Sequence, residues 1–173
     1  GKPKPVAVNR LVPHTNYELE DLDVIDTPGH APHHLCFRYG GRLYVGEAAG
    51  VHFTVGYQEY SRPASPPKFM LNRYLDSIDR LLKLREQPIR YAHFGGSNNS
   101  HNVLKVLKKQ ALSWKEIIYG EMLKDEINLV ERCMERLIKE DQNLWVLDKM
   151  DGETRKRELD FKYNSGKELI EFL

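Results

Sequence analysis

Three short stretches of the sequence bring histidine or glutamate together with small residues, a combination suited to binding a metal ion. Residues 26–34 read Asp-Thr-Pro-Gly-His-Ala-Pro-His-His, residues 46–50 read Gly-Glu-Ala-Ala-Gly, and residues 91–95 read Tyr-Ala-His-Phe-Gly. Imidazoles and carboxylates are suitable ligands for zinc, iron or manganese. Small neighbours let the backbone and the ligating side chains approach an ion closely.

The elements that precede these stretches indicate how the three could meet. Strand-forming residues come directly before each one, at 19–25, 42–45 and 89–92. Loops at strand ends converge on one edge of a sheet, where binding sites commonly lie. We therefore expect the three stretches to lie along one sheet edge.

Further strands and turns are predicted on either side of the second stretch. Two strand-forming runs flank Gly40 and Gly41, and this pattern is typical of a hairpin. Residues 56–68 contain a glycine and three prolines, and they are expected to form a long connection.

Helices are predicted for most of the remaining chain. Apolar residues at i, i+3, i+4 and i+7 spacing predict a helix over residues 71–82. Residues 102–141 are predicted to be helical with a break near Gly120, and residues 165–173 to form a last helix. Strands followed by helices favour α+β or α/β layering.

Composition limits the classes of function. The 173 residues are 40% hydrophobic and 29% charged, which is ordinary for one soluble domain. A formal net charge of +1 gives no electrostatic reason to expect nucleic acid or a membrane as a partner. No apolar run reaches the roughly 18 residues of a membrane span. The first residues do not resemble a signal peptide, and a cytoplasmic location is the default. Cys36 and Cys133 form no CxxC pair and are expected to be buried thiols.

The three stretches resemble metal motifs of the metallo-β-lactamase superfamily, in the order in which that family has them. Residues 27–30 with His34 resemble the third motif, residues 45–50 the fourth, and residues 92–95 the fifth. The resemblance is closest to a prokaryotic branch similar to glyoxalase II and extends over residues 23–95. That branch also has a Pro-rich link and a helix with Ser-x-Asp/Glu, which correspond to residues 63–67 and 77–79.

The resemblance implies a role for each candidate ligand. His30 would bind a first metal ion, Glu47 would bridge two ions, and His93 would bind the second. His34 matches a position that supports the ligand loop from behind. The intact enzyme would hold two divalent ions, zinc first, with iron and manganese as alternatives. Water activated by these ions would attack an ester, thioester, lactone or similar bond of a small-molecule substrate. No side-chain nucleophile is expected.

Two departures from the family pattern bear on activity. The bridging carboxylate is normally Asp, whereas this chain has Glu47, which is one methylene longer. The motif His-x-His-x-Asp-His, which supplies the remaining ligands in the family, does not occur in the sequence. Tetrahedral zinc takes three or four protein ligands. Metal binding by this chain alone is therefore expected to be weak or absent.

The parent fold implied by the resemblance is an αββα sandwich, so the fold class is α+β. Residues 1–100 would form the C-terminal half of that fold, with its second sheet and covering helices, and residues 101–173 a helical C-terminal extension on the same domain. A half-sandwich exposes an apolar sheet face, which is unfavourable in water. We expect a missing N-terminal half or a dimer partner to cover it.

Four more residues are candidates for a substrate pocket. His33 and His52 lie beside the motifs, and by the resemblance Tyr57 and Tyr60 lie in a loop that often shapes the pocket in the family. An alternative to catalysis is a degenerate or fragmentary module that acts as an interaction partner. A second alternative is a nucleic-acid-processing member, but the sequence has no basic strip interleaved with aromatic residues.

Overall fold

A six-stranded mixed sheet lies at the centre of the fold in the computed structural model, which describes residues 17–19, 21–93 and 95–172. The strand order is β1-β2-β3-β4-β7-β8, and every neighbouring pair is antiparallel except β4 and β7, which are parallel. The strands are β1 (Tyr17–Leu19), β2 (Leu22–Asp26), β3 (Leu35–Tyr39), β4 (Arg42–Gly46), β7 (Ile89–Tyr91) and β8 (Gly96–Ser97).

The predicted hairpin around Gly40 and Gly41 is confirmed as β3 and β4. Both glycines are left-handed, with φ of 55° and 70°, and Tyr39 pairs directly with Arg42. Two consecutive left-handed residues match the right-handed twist of the strands that they join, and glycine adopts this conformation without steric cost.

A second, two-stranded sheet corrects the prediction of a long connection over residues 56–68. It consists of β5 (Val51–Val55) and β6 (Gln58–Arg62), which are antiparallel and meet at a turn that contains Gly56. The sequence Gln-Glu-Tyr-Ser-Arg of β6 has one apolar residue, so it lacks the alternation that normally reveals a strand.

The helices are α1 (Leu71–Leu82), α2 (Ser100–Met122), α3 (Leu129–Glu140), a 3-10 helix (Gln142–Lys149) and α4 (Gly152–Phe172). The prediction for residues 71–82 is confirmed. Two helices are present as predicted, but Gly120 does not separate them: it lies inside α2, and the gap between the helices falls between Met122 and Leu129. A glycine inside a helix costs only about 1 kcal/mol relative to alanine, which packing can offset. No helix among the described residues is long and apolar enough to cross a membrane.

The core lies against one face of the six-stranded sheet. Strand alternation directs Ile25, Cys36, Leu43 and Val45 to this face, where they join a cluster with the buried residues of α1, α2, α3 and α4. The opposite face is different in character: it carries Phe37, Tyr39 and Tyr44, which are 37%, 54% and 39% exposed. Aromatic side chains on this face are therefore only partly covered.

Candidate metal centre

Sheet topology brings the three motif stretches to one edge. Strands β2 and β4 are both antiparallel to β3, and β7 is parallel to β4, so β2, β4 and β7 run in the same direction. Their carboxyl ends therefore meet at the same edge of the sheet. The loops that carry His30, Glu47 and His93 follow these ends directly. The Ala92 N–H also donates to the Gly46 carbonyl at 3.2 Å, which ties the third loop to the second.

The first loop is held against helix α1. The Ser77 hydroxyl donates to the Pro28 carbonyl at 2.6 Å, and the Met70 N–H donates to the Gly29 carbonyl at 2.9 Å. Gly29 has a φ of 139°, and a Cβ atom there would lie 2.7 Å from Cβ of Tyr74. Only glycine fits this position, which allows the loop to lie directly on the helix.

Glu47 lies between the two candidate imidazole ligands. Its Oε2 is 3.1 Å from Nε2 of His30, and its Oε1 is 3.6 Å from Nε2 of His93. Among the described residues, no three or more His, Cys, Asp or Glu side chains close around a single ion position. Instead, each Glu47 carboxylate oxygen lies next to one imidazole nitrogen, that of His30 or that of His93. This fits two adjacent halves of metal sites rather than one complete site.

The orientation of His30 suits a metal ligand. Its Nδ1–H donates to the Ala64 carbonyl at 2.9 Å, because a carbonyl oxygen can only accept. The proton is therefore fixed on Nδ1, and Nε2 is the atom directed at Glu47. An outer hydrogen bond of this kind is how metal-binding histidines are commonly oriented.

His34 supports the Glu47 loop through both ring nitrogens. The Glu47 N–H donates to Nε2 of His34 at 3.3 Å, so that nitrogen carries no proton. Nδ1 is then protonated and donates to the Thr27 hydroxyl at 2.9 Å, and the Thr27 hydroxyl donates to Sγ of Cys36 at 3.2 Å. Burial, with a smaller contribution from His30, lowers the pKa of His34 to about 4 and keeps it neutral. Burial raises the pKa of Cys36 to about 12, so this thiol is unreactive.

His30 and Glu47 stabilise each other's charged forms. Burial acts to lower the pKa of His30, but the hydrogen bonds to Glu47 and Ala64 outweigh it, and the pKa is raised. The hydrogen bond from His30 is the largest effect on Glu47 and lowers the pKa of that carboxyl. This hydrogen bond places a proton between Nε2 of His30 and the Glu47 carboxylate. A divalent cation would bind to the same two groups, so proton and cation would compete for them.

A cavity of about 660 Å³ opens beside this cluster, and His30, Glu47 and His93 form part of its wall. Residues 62–67 and helix α4 form most of the remainder. Seven of its lining residues come from neighbouring turns of α4, among them Arg157, Glu158, Phe161 and Ser165. Cavities that combine apolar walls with a few convergent polar groups are typical of small-molecule sites.

The four pocket candidates from the sequence do not line this cavity. His33 is exposed, and Tyr57 is fully exposed at the turn between β5 and β6. His52 is buried and stacks on Tyr91, with ring centroids 5.3 Å apart. Tyr60 is buried and donates its hydroxyl hydrogen bond to Glu158 at 3.0 Å. The sequence does not indicate the wall residues of α4, because they begin 62 residues beyond the third motif and carry no local signal of their own.

The chain is similar to metallo-β-lactamase fold proteins. It is 30% identical over 116 residues to the metallo-β-lactamase fold-containing protein ST1585 of Sulfurisphaera tokodaii, a match that covers 62% of this chain and 42% of that protein. No protein-family model matches the chain.

Two solved structures share its fold. The crystal structure of ST1585, from Sulfolobus tokodaii, matches 87% of this chain and 46% of that chain, with a TM-score of 0.50 and 21% identity. The metallo-β-lactamase family protein TTHA1429 of Thermus thermophilus matches 98% of this chain and 50% of that chain, with a TM-score of 0.58 and 20% identity. The chain thus spans about half the length of these relatives. Over that length it shares the fold of metallo-β-lactamase fold proteins.

Proposed function

We propose that this chain supplies half of the metal site of a metal-dependent hydrolase, in the branch of the superfamily that resembles glyoxalase II. The position of the Glu47 carboxylate carries the proposal, since one oxygen faces His30 and the other faces His93. A carboxylate between two imidazoles is the arrangement needed to bridge two adjacent ions.

Each residue of the cluster has a distinct part in this function. His30 and His93 would each hold one divalent ion, zinc first, and Glu47 would be shared between them. His34 keeps the Glu47 backbone in position without binding an ion itself. When bound, the ions would activate water for attack on an ester, thioester, lactone or similar bond. The cavity beside Glu47 would hold the substrate.

The site needs further ligands, because His30, Glu47 and His93 provide two donors to each ion. We propose that a segment with His-x-His-x-Asp-His completes it, in the same polypeptide or from a partner. The same segment would cover the sheet face with Phe37, Tyr39 and Tyr44, which are partly exposed. Covering these aromatic rings would favour association by removing apolar surface from water.

Cobalt titration tests the ligand assignment directly. Co²⁺ bound to nitrogen and oxygen ligands absorbs visible light, so even weak binding to this chain can be followed at millimolar metal. We expect His30→Gln, Glu47→Gln and His93→Gln each to weaken binding by about ten-fold or more. The exposed neighbour variant, His33→Gln, should bind as the wild type does.

Addition of the His-x-His-x-Asp-His segment should tighten the binding and produce hydrolysis of a simple ester or thioester. Equal Co²⁺ affinity in the wild type and all four variants would contradict the ligand assignment. Tight metal binding without any hydrolysis would instead favour the alternative of a non-catalytic interaction module.

A further inference from the structure

A buried ion pair forms part of the wall of the cavity beside the metal cluster. Arg62 of β6 is 5% exposed and Glu158 of α4 is 1% exposed, and Nε of Arg62 donates to Oε2 of Glu158 at 2.7 Å. The Tyr60 hydroxyl donates to the same oxygen at 3.0 Å. The Arg62 side chain is therefore held firmly while it also lines the cavity.

The hydrogen bonds of Arg62 leave part of its guanidinium group free. Nε is used by Glu158, and Nη1 donates to the Pro63 carbonyl at 3.3 Å. A guanidinium carries five N–H donors, and no acceptor for Nη2 is found in the described part of the chain. Among the described residues, the fully buried side-chain polar atom without a hydrogen-bond partner is the Tyr74 hydroxyl. Nη2 of Arg62 also lacks a partner there, so it is not fully buried. Because Arg62 lines the cavity, we infer that its Nη2 opens into it.

The ring of Phe161 packs against the guanidinium group of Arg62. It lies 5.2 Å from Cζ of Arg62 and lines the same cavity. With its face covered by Phe161 and its Nε used by Glu158, Arg62 has its Nη1–Nη2 edge left for a ligand. That edge is suited to a planar carboxylate, which can accept two parallel hydrogen bonds from it.

The rest of the wall agrees with a ligand that is both apolar and anionic. Apart from the metal cluster, the lining has three cations, Arg62, Arg157 and Lys167, against two carboxylates, Glu158 and Glu168, which leaves one positive charge in excess. The other lining residues are mainly apolar: Val51, Ala64, Pro66, Pro67 and Phe161.

We propose that this cavity binds substrates in which a carboxylate is attached to an apolar body, with Arg62 as the residue that binds the carboxylate. The inference rests on the proposed function for the scissile bond, which would lie next to Glu47 in the same cavity. It identifies the substrate class as carboxylate-bearing esters, thioesters or lactones. Arg62 is thereby a specificity-determining residue rather than only a link between β6 and α4.

Binding of benzoate and of its neutral analogue benzamide to the full chain tests the proposal. Both are titrated by NMR in EDTA, so that no metal is involved and the outcome is independent of the metal-binding test. We expect benzoate to bind in the millimolar range and benzamide about ten-fold more weakly, because only the carboxylate accepts charge-assisted hydrogen bonds. Equal binding of the two would overturn the proposal.

Variants separate Arg62 from the other cations. The double variant Arg62→Gln/Glu158→Gln removes both charges together and avoids a lone buried carboxylate; it should weaken benzoate binding about ten-fold and leave benzamide binding unchanged. Arg155→Gln, which does not touch the cavity, is the matched control and should bind as the wild type does. Should the double variant not fold, Phe161→Leu retains the ion pair and should still weaken benzoate selectively. Unchanged benzoate affinity in the folded variants would overturn the role of Arg62.

Discussion

The ring of His34 is fixed between the backbone of Glu47 and the hydroxyl of Thr27. The Glu47 N–H donates to Nε2 of His34 at 3.3 Å, and Nδ1 of His34 lies 2.9 Å from the Thr27 hydroxyl. A side chain from the loop after β2 thus positions the loop after β4. The two loops that carry His30 and Glu47 are coupled by one neutral imidazole.

Replacement of His34 by alanine should loosen the Glu47 loop. It leaves the Glu47 N–H without its acceptor and removes the hydrogen bond that the Thr27 hydroxyl accepts, which should lower the free energy of unfolding by about 1–3 kcal/mol. Metal affinity of the completed site should fall about 10–100-fold, as is usual when a residue behind a ligand is removed. Urea unfolding and Co²⁺ titration measure the two effects. The exposed neighbour His33 is the control, and an equal loss in His33→Ala would contradict the assigned role.

The sheet edge, and the meeting of His30, Glu47 and His93 there, could be predicted from the sequence because the signals are local. The glycine pair, each strand-forming run and each of the three motifs extend over only a few residues. Gly40 and Gly41 are an example, since two glycines between strand-forming runs have few alternatives to a tight hairpin. The metal-binding roles of His30, Glu47 and His93 remain predictions.

The cavity wall could not be predicted because it depends on contacts distant in the chain. Arg62 and Glu158 are 96 residues apart, and neither lies in a motif. The polar composition of strand β6 does not indicate a strand. Helix α4 begins at Gly152, before the predicted helix over residues 165–173. Tyr60 and Arg62 are buried and both donate to Glu158 of α4, contacts that no local pattern indicates.

Gly50 should be intolerant of alanine for reasons of space as well as conformation. Its φ is 71°, and an added Cβ atom would lie 2.9 Å from Cδ1 of Leu107 and closer still to the carbonyl oxygen of Arg62. Gly41 has nearly the same φ of 70° but nothing within 4 Å of its Cβ position. Left-handed strain alone costs about 1–2 kcal/mol, and overpacking adds about 1–3 kcal/mol.

We therefore expect Gly41→Ala to destabilise the chain by about 1–2 kcal/mol and Gly50→Ala by about 2–5 kcal/mol. Chemical denaturation of both variants under the same conditions measures the difference. Equal losses would mean that the chain relaxes around Gly50 and that the close approach of β6 is not fixed.

Tyr74 and Tyr60 are both fully buried, but their hydroxyl groups have different surroundings. The Tyr60 hydroxyl donates to Glu158 at 3.0 Å, whereas the Tyr74 hydroxyl has no hydrogen-bond partner among the described residues. Burial is the main cause that raises the pKa of Tyr74.

Removal of the two hydroxyls should therefore have opposite effects. Tyr60→Phe should destabilise the chain by about 1–3 kcal/mol, because it takes a hydrogen bond from a buried carboxylate, whereas Tyr74→Phe should be neutral or stabilising by up to about 1 kcal/mol. Thermal and urea unfolding of both variants test this. A clear loss of stability in Tyr74→Phe would mean that its hydroxyl has a partner that these contacts do not include.

Glu121 should make the stability of the chain depend on pH in the acidic range. Its side chain is 1% exposed, and it accepts from Lys124 at 2.7 Å, from Arg132 at 3.0 Å and from Arg136 at 3.0 Å. The hydrogen bond from Lys124 is the largest effect and, with those from the two arginines, outweighs burial and lowers the pKa of Glu121 from 4.5 to about 2. Because the folded pKa lies below the unfolded one, the stabilisation is fully present above about pH 4.5 and is lost as the pH falls towards 2.

The Glu121→Gln variant tests this pH range directly. At pH 7 it should be less stable than the wild type, since Arg132 and Arg136 lose their common carboxylate. That difference should shrink between pH 4.5 and pH 2, where the wild-type carboxyl becomes protonated. Glu116→Gln, on the exposed surface of the same helix, is the matched control and should stay within about 0.5 kcal/mol of the wild type at every pH. A difference between Glu121→Gln and wild type that stays constant from pH 7 to pH 2 would show that the hydrogen bonds of Glu121 matter through shape rather than charge.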